Sequence, residues 1–343
     1  MGVTAAVLAI DAGNSKSDVA FVGADGTVLA EARGAGFQPP RVGVPAAVDV
    51  LGAAVASALA GAGGAVTGAR HVSACLANAD FPSEEAELAE ALRTRAWGRT
   101  VEVRNDTFAV LRAGVDEPRG VAVVCGAGIN CVGMLPDGRT ARFASVGRIS
   151  GDWGGGAFLA EEALWCAARA EDGRGGPTEL ARALPAHFGL GSVYALVEAL
   201  HLGRIPAGRR HELVPVLFAV AAAGDPVARA LVERQAEEVA ALAGVALERL
   251  GLLDAEVPVL LGGSVLAARH PDLNGRVAGL LAARAPGAEV RVVTAPPVLG
   301  AALLGLDAVG APPEARARLR AHYARGTIRG PAAYSGGGPR GAR

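Results

Sequence analysis

Lysine is almost absent from this chain of 343 residues: 33 residues are lysine or arginine, but Lys16 is the single lysine. The formal net charge is -1 at pH 7, and the arginines are scattered along the chain rather than clustered. Nucleic acids and anionic membrane surfaces are bound through concentrated positive charge. The composition therefore predicts no nucleic-acid partner and no membrane-surface partner.

Cysteine is also scarce, and the four cysteines lack the paired spacing of a zinc or iron–sulfur site. The N-terminal segment lacks the basic residues of a secretory signal, and Asp11 interrupts its apolar run early. An uncharged stretch, 50–69, is as long as a membrane span, but its glycines predict a helix followed by a loop. We therefore expect a reduced, cytoplasmic protein.

The length of the chain predicts two domains, because single hydrophobic cores stop growing at about 250–300 residues. We place the first domain at 1–115 and the second at 116–325. The last segment, 326–343, is rich in glycine, proline and arginine. That composition has little to bury and predicts a disordered tail.

A polar turn separates two apolar runs near the N-terminus. The run 6–10 precedes the segment Asp11–Asp18, and a second run follows at 19–22. This order predicts a β-hairpin, at whose tip small and hydroxyl residues let backbone N–H groups approach an anion. Asp11 at the strand end can hold Mg²⁺ directly or through water. The alternative is an ordinary hairpin built from turn-forming residues.

The pattern of the first hairpin returns later in the chain. After a third strand, helices and strands alternate as far as about residue 115, and a new hairpin begins with the strand 121–124. Its turn, 125–130, again contains glycine. The repeat predicts an α/β fold of two ribonuclease H-like domains, each with a mixed five-stranded sheet, separated by a cleft. A nucleotide held in that cleft needs a phosphate-binding turn from each domain.

Three further segments carry residues suited to binding or catalysis. Asn105 and Asp106 follow a predicted strand, where they can also act as a helix N-cap. Asp152 lies in the glycine-rich segment 150–156, where an Asx turn is the alternative. The segment 262–264 follows a buried strand, and its glycines can lie against an adenine ring or form a plain strand–helix turn.

The succession of these segments resembles the N-acetylglucosamine kinase and BadF/BadG/BcrA/BcrD ATPase family of the actin and hexokinase type, over about residues 6 to 306. The resemblance implies ATP and Mg²⁺ as cofactors and an amino sugar as the small-molecule substrate. The implied residues are Asp11, Gly13, Asn14, Ser15 and Lys16 in the first phosphate turn, with Asp11 as the metal residue; Gly126, Ala127, Gly128 and Asn130 in the second; Gly262, Gly263 and Ser264 at adenosine; and Gln38, Asn105, Asp106, Gly151 and Asp152 at the sugar.

The resemblance also implies a division of roles among these residues. Asp106 takes the position of the catalytic base, since a carboxylate can accept the proton of a sugar hydroxyl. Backbone donors of both turns stabilise the γ-phosphate, and Lys16 adds a mobile positive charge. Trp153 either stacks on the sugar or lies in the core.

Three positions depart from the pattern of the family, in which Ala127, Ile129 and Trp153 are often threonine, serine and glutamate. Two hydroxyls and one carboxylate are therefore missing. The predicted sugar loop, 34–40, contains Gln38 as its single amide. The substrate prediction is N-acetylglucosamine, phosphorylated to N-acetylglucosamine 6-phosphate, with glucosamine and N-acetylmuramic acid as alternatives.

Two other functions share this nucleotide-binding fold. Activators of 2-hydroxyacyl-CoA dehydratases couple ATP hydrolysis to electron transfer through an iron–sulfur cluster and need a suitable cysteine pair, whereas Cys125 and Cys131 flank the second turn. A sensor that binds sugar or nucleotide without turnover is the other alternative, and the missing hydroxyls support it. A homodimer is the expected assembly, since it is common among relatives.

Overall fold

The computed structural model describes residues 2–326, which form two compact units. The first unit contains the chain up to Ala113 and again from Ala295, and the second unit runs from Gly114 to Thr294. The predicted tail, 326–343, lies outside the described residues except for Gly326.

Each unit contains one five-stranded sheet. The strands are β1 (Val3–Ala12), β2 (Lys16–Val22), β3 (Val28–Ala35), β4 (Val66–Leu76), β5 (Gly98–Asn105), β6 (Gly120–Cys125), β7 (Ile129–Met134), β8 (Thr140–Arg142), β9 (Val257–Gly262) and β10 (Ala288–Val292). The first sheet has the order β3-β2-β1-β4-β5 and the second the order β10-β9-β6-β7-β8. In each sheet the first three strands of the chain are antiparallel neighbours. The other two strands lie beyond the first strand, β1 or β6, and run parallel to it. The second sheet repeats the order of the first, which confirms the predicted fold class.

Helices connect and cover the strands. The helices within residues 2–326 are α1 (Pro39–Val42), α2 (Val44–Gly61), α3 (Pro82–Arg93), α4 (Thr107–Gly114), α5 (Gly156–Glu171), α6 (Leu180–His187), α7 (Val193–His201), α8 (Leu213–Ala222), α9 (Pro226–Leu250), α10 (Gly263–Ala267), α11 (Pro271–Arg284), α12 (Pro297–Ala308) and α13 (Pro313–Ala324). Short 3₁₀-helices occur at Gly147–Ser150 and Ala207–Glu212.

The first sheet is covered on both faces. Every residue of β1 from Ala5 to Ala12 is buried, as is typical of a central strand between two layers of helices. One face packs against α2 and α3, and the other packs against α12 and α13. This burial fixes the carboxyl end of β1, where Asp11 lies.

Helix α2 contains Asp49 and the first part of the uncharged stretch, up to Gly61. Among the described residues it is the one helix that is, by itself, long and apolar enough to cross a membrane by length and composition. Its side chains at Val48, Leu51 and Val55 lie in the core beneath the first sheet. The helix ends at Gly61 and is followed by a turn, as the glycines of the sequence predict.

The C-terminal helices α12 and α13 pack in the first unit, which corrects the predicted second domain of 116–325. Glycines on α12 allow this packing, because a Cβ at Gly300 would overlap the carbonyl oxygen of Ala109 and a Cβ at Gly305 would overlap Val7. Small residues on one helical face therefore select the surface that the helix covers. The chain pattern did not reveal that this surface belongs to the first sheet, because the partner strand lies almost 300 residues away.

The second unit packs its sheet against a larger set of helices. Strands β6 and β9 are buried beside α5, α9 and α11 in one hydrophobic core. The 25-residue helix α9 begins after Asp225, whose side chain accepts a hydrogen bond from the backbone of Ala228 at 2.8 Å, and it ends at Gly251 with φ of 68°. These signals are the usual N-cap and left-handed C-terminus of a helix. Helix α9 thereby carries Gln235 into the middle of the core.

Candidate functional site

The first polar turn links β1 to β2 and presents backbone donors at its tip. Asn14 and Ser15 are exposed, and within residues 2–326 the backbone N–H of neither residue donates a hydrogen bond. The turn itself is closed by the Gly13 N–H, which donates to the Lys16 carbonyl oxygen at 2.9 Å. Two consecutive free amides on a tight turn suit an anion such as a phosphate.

Two carboxylates lie at the edge of the sheet beside this turn. Asp11 is near the end of β1 and pairs in register with Cys75 of β4, and Asp106 directly follows the end of β5. The Asp106 N–H donates to the Leu76 carbonyl oxygen at 3.2 Å, which ties it to the same edge. The sequence prediction that both acids occupy strand ends is consistent with this geometry.

The environment raises the pKa values of both acids. Burial raises the pKa of Asp11 well above its usual range, and the neighbouring carboxylates of Asp106 and Asp18 raise it further. Burial also raises the pKa of Asp106, from 3.8 to about 6, against the opposing backbone N–H of Thr107. A carboxylate with a pKa near 6 is ionised at neutral pH and remains a useful proton acceptor.

Asp18 is a charged residue of this edge that the sequence analysis did not single out. It lies directly opposite Asp11 in the β1–β2 register and is fully buried. Arg33 forms a fork on it, with Nε and Nη2 at 2.6 and 3.0 Å from the two carboxylate oxygens. The Lys16 ammonium lies 3.3 Å from Asp18 Oδ2 on a half-exposed side chain. Lys16 is therefore paired near the turn rather than extended freely from it.

The predicted sugar loop contacts the first turn directly. The Gln38 side chain donates through Nε2 to the Asn14 carbonyl oxygen at 2.6 Å, and the Phe37 N–H donates to the Gly13 carbonyl oxygen at 2.9 Å. Gly36 makes this approach possible, since a Cβ there would overlap the Asn14 carbonyl oxygen. The amide of Gln38 thus supports the turn, and its predicted contact with sugar remains a prediction.

Asn78 and Asp80 also belong to this edge and were missed from the sequence. Asn78 Nδ2 lies 3.0 Å from Asn14 Oδ1, and Asp80 Oδ1 accepts a hydrogen bond from Asn105 Nδ2 at 2.9 Å. Both residues follow β4, a buried parallel strand. Polar residues directly after such a strand are the signal that could have identified them, because ligands bind at the carboxyl ends of parallel strands.

Asn105 serves the local structure of the first unit. Its Oδ1 accepts a hydrogen bond from the Thr107 N–H at 2.9 Å at the start of α4, while its Nδ2 is held by Asp80. The side chain is buried. This is the helix-capping role that we weighed as an alternative, and it fixes the backbone from which Asp106 projects.

The second turn, between β6 and β7, resembles the first in its donors but not in its surroundings. Ala127 and Gly128 are exposed, and neither backbone N–H donates a hydrogen bond within the described part of the chain. The carbonyl oxygens of Gly126 and Ala127 accept from the N–H groups of Gly156 and Ala157 at 2.7 and 3.0 Å. Because C=O and N–H point in opposite directions in a trans peptide, these bonds direct the two free N–H groups away from α5.

A glycine run before α5 supports the second turn from behind. Gly155 has φ of 90°, and a Cβ there would lie 2.5 Å from the backbone of Gly128. Its N–H donates to Gln235 Oε1 at 3.0 Å, and Gln235 is fully buried on α9. Gln235 is a further residue that the sequence did not reveal. It lies among other polar residues of an amphipathic helix, and no neighbouring residue distinguishes it from them.

Asp152, Gly151 and Asn130 lie near this run and take part in local turns. Asp152 Oδ2 accepts hydrogen bonds from the Gly147 N–H at 3.1 Å and from the Ser150 hydroxyl, which is the turn-forming alternative. Gly151 has φ of 85°, and no atom lies within 4 Å of the position that a Cβ would occupy there. Asn130 Oδ1 accepts from the Cys131 N–H and from the Ser145 hydroxyl. Their predicted contacts with ligand remain predictions.

Trp153 lies in the core of the second unit. It is 5% exposed and packs against Phe158, and the Arg234 guanidinium lies 4.3 Å from its ring centroid. The core placement that we weighed for this residue is therefore the one observed. The departure from glutamate at this position replaces a carboxylate by a packed indole.

The predicted adenosine residues Gly262, Gly263 and Ser264 connect β9 to α10. Gly263 has φ of 79°, and a Cβ there would overlap the backbone of Cys125. Glycine is thus required for the approach of α10 to the second hairpin, whether or not an adenine ring lies nearby. The role of this segment at adenosine remains a prediction.

The four cysteines are free thiols, and three of them are buried. Cys75, Cys125 and Cys131 are buried and free, and burial raises the pKa of Cys125 to about 12. Residues 2–326 contain no group of three or more His, Cys, Asp or Glu side chains arranged to hold a metal ion. Buried thiols with high pKa values are poor sources of the thiolate that a cluster requires.

Two curated proteins, both named as sugar kinases, are similar to this chain in sequence. The chain is 25% identical over 190 residues to the N-acetylmuramic acid/N-acetylglucosamine kinase of Clostridium acetobutylicum, covering 55% of this chain and 62% of the relative, which is less than two thirds of its length. It is 24% identical over 241 residues to the N-acetyl-D-glucosamine kinase of Dictyostelium discoideum, covering 68% of this chain and 75% of that relative.

Most of the chain has known counterparts in fold and in sequence. A solved structure from Chromobacterium violaceum, of a protein provisionally assigned as an N-acetylglucosamine kinase, matches with a TM-score of 0.67 at 23% identity, covering 88% of this chain and 99% of that chain. This likeness shows a shared fold. The sequence model of the BadF/BadG/BcrA/BcrD ATPase family matches residues 8–305, almost the full span over which the sequence resembled it. The chain therefore belongs to the BadF/BadG/BcrA/BcrD ATPase family.

Proposed function

We propose that this protein is an ATP-dependent kinase that phosphorylates a hydroxyl of an amino sugar, with N-acetylglucosamine as the substrate and N-acetylglucosamine 6-phosphate as the product. Its relatives in Clostridium and Dictyostelium carry kinase names with this sugar. In the reaction, the sugar oxygen attacks the γ-phosphorus, the bond from that phosphorus to the β–γ bridging oxygen breaks, and ADP leaves. The proton of the hydroxyl must be accepted by a base.

The observation that carries the proposal is the position of Asp106 beside Asp11 and the first turn. Asp106 lies at the carboxyl edge of a parallel segment, with a pKa raised by burial to about 6. The free N–H groups of Asn14 and Ser15 lie in the turn that follows β1, at the same edge of the sheet. A base and phosphate donors at one edge supply the two requirements of phosphoryl transfer, which are alignment of the acceptor and neutralisation of charge.

The donor set of Asp11 fits a magnesium ion. Burial raises the pKa of Asp11, and the neighbouring carboxylates of Asp106 and Asp18 raise it further, so a cation at this carboxylate would relieve their repulsion. Mg²⁺ prefers carboxylate oxygens and water, and it is bound by one or two carboxylates together with substrate phosphates. When bound, the ion would neutralise phosphate charge. Asp11 would hold it directly or through water, while Asp18 is already neutralised by Arg33.

The second turn supports the use of a nucleotide despite its missing hydroxyls. Ala127 offers no side-chain donor, but its backbone N–H and that of Gly128 are directed away from α5 by the bonds that its first residues make to the turn. Phosphate binding by backbone N–H groups needs no hydroxyl. We therefore propose that the departures at Ala127 and Ile129 lower the affinity for ATP without abolishing it.

A direct test measures ADP release by the purified protein with ATP and Mg²⁺ in the presence of N-acetylglucosamine, glucosamine, N-acetylmuramic acid, N-acetylmannosamine or glucose. We expect release that depends on N-acetylglucosamine, with a product heavier by one phosphate. A preference for another amino sugar would keep the kinase and change its substrate. If no sugar stimulates release but one binds, the sensor becomes the better proposal.

A further inference from the structure

Asn78 joins two segments that the proposed reaction uses for different ligands. It follows β4 in a left-handed conformation, with φ of 62°. Its Nδ2 lies 3.0 Å from Asn14 Oδ1 at the tip of the first turn and 3.4 Å from the Phe37 carbonyl oxygen in the sugar loop. One amide group therefore bridges the phosphate turn and the sugar loop.

Two further bonds complete the connection between these segments. The Phe37 N–H donates to the Gly13 carbonyl oxygen, and Gln38 Nε2 donates to the Asn14 carbonyl oxygen. The second bond has a directional consequence, because the Asn14 carbonyl and the Ser15 N–H belong to one planar trans peptide and point in opposite directions. Holding the carbonyl toward Gln38 therefore directs the Ser15 N–H away from the sugar loop.

We propose that Asn78 is a positioning residue that holds the first phosphate turn and the sugar loop in one arrangement, so that binding of phosphate and binding of sugar assist each other. The coupling rests on the proposed function, whereas the structural connection does not. Displacing the sugar loop would release the Asn14 peptide, and a phosphate that orders that peptide would order the loop. Two sites joined through one element are coupled reciprocally.

The alternative is that Asn78 is present because asparagine tolerates the left-handed conformation at this turn. Asn78→Gly separates the two roles. Glycine adopts the same φ without strain, so this variant keeps the backbone and removes both hydrogen bonds. Ala96→Gly is the matched control in the same unit, since Ala96 has φ of 52° on an exposed turn far along the chain from both segments.

The first measurement is amide hydrogen exchange of the ligand-free protein, which does not depend on any activity. We expect the Phe37 and Gly13 amides to exchange about five- to tenfold faster in Asn78→Gly, as for loss of about one net hydrogen bond, and to be unchanged in Ala96→Gly. Equal exchange in Asn78→Gly and the wild type would overturn the proposal, because the segments would then be held together without Asn78.

The second measurement is calorimetric binding of a non-hydrolysable ATP analogue with and without N-acetylglucosamine. We expect the sugar to tighten nucleotide binding in the wild type, and Asn78→Gly to reduce that factor about fivefold or more. Asn14→Ala removes the same Asn78–Asn14 bond, so the double variant should be no worse than the poorer single variant. Coupling that survives in Asn78→Gly overturns the proposal. If the wild type binds neither ligand, the proposed function fails, and hydrogen exchange still decides the structural connection.

Discussion

The two polar turns offer the same pair of free backbone amides but are supported in different ways. The first turn is held by one backbone bond, from the Phe37 N–H to the Gly13 carbonyl oxygen, and by the polar side chains of Asn78 and Gln38, which are bonded to Asn14. The second turn is held by backbone bonds, which Gly126 and Ala127 accept from the start of α5. Ionisable groups accompany the first turn, whereas the tip of the second carries none. The proposed base therefore belongs to the first unit, and the second turn is by itself a surface of backbone donors.

The two kinds of support differ in how far they let a turn move when a ligand binds. A turn held by side chains can respond to a ligand, because each neutral hydrogen bond contributes a net stability of only about 0.5–1.5 kcal/mol. A turn packed against glycine backbone has no such freedom, since closely packed atoms resist displacement. Substitutions should therefore change catalysis in the first unit and stability in the second.

The largest expected effect tests the chemistry of the first unit. Asp106→Asn keeps the shape of the side chain but removes the proton acceptor, so we expect kcat to fall by about 10²–10⁴-fold. The KM for ATP and the melting temperature should be almost unchanged, because burial already disfavours the charged form of Asp106. Near-normal turnover in Asp106→Asn would remove Asp106 from the role of base.

The next effect tests the rigidity of the second turn. In Gly155→Ala, a Cβ would lie 2.5 Å from the Gly128 backbone at a φ of 90°, and we expect a loss of about 2–5 kcal/mol in unfolding free energy together with a higher KM for ATP. Gly138→Ala is the control, because Gly138 has the same φ but no atom within 4 Å of its Cβ position. It should lose about 1–2 kcal/mol. Equal losses in denaturant titrations would show that the close approach to Gly128 is unimportant.

A smaller effect follows from the pKa of Asp106. Because the base must be ionised and its pKa lies at about 6, we expect kcat/KM to fall about tenfold per pH unit below pH 6 and to level off above pH 7. Stability should change in the opposite direction from activity. Between pH 3.8 and about 6 the folded state keeps the Asp106 proton, whereas the unfolded state has lost it. The unfolding free energy should therefore fall as the pH rises through that window. A flat rate profile from pH 5 to 8 would contradict the assignment.

The parts of the site that could be predicted from the sequence are those marked by short-range signals. Asp11 and Asp106 end apolar strands, and both turns contain small residues between such strands. These signals depend on strand periodicity and turn chemistry, which lie within a few neighbouring residues. The repeated strand order followed from the same signals, and the structure confirms it.

The remaining parts depend on contacts between distant segments. Asn78 meets Asn14 across 64 residues, and Gln235 meets Gly155 across 80 residues. The fork of Arg33 on Asp18 depends on the register of β2 and β3, which a single sequence does not specify. For the same reason, the surface covered by α12 was assigned to the wrong domain. Local patterns predict the elements, and tertiary packing decides which polar residues support the site.

The smallest expected effect concerns the single lysine, which gives the first turn a cation that the second turn lacks. Asp18 is already neutralised by Arg33, so the half-exposed Lys16–Asp18 pair should contribute less than about 1 kcal/mol to stability. If its ammonium instead contacts a phosphate of ATP, Lys16→Met should raise the KM for ATP about tenfold with little change in melting temperature. Lys16→Arg keeps the charge, and its KM for ATP should lie between those of the wild type and Lys16→Met. Unchanged KM values in both variants would limit Lys16 to its contact with Asp18, and the two turns would then bind phosphate through backbone alone.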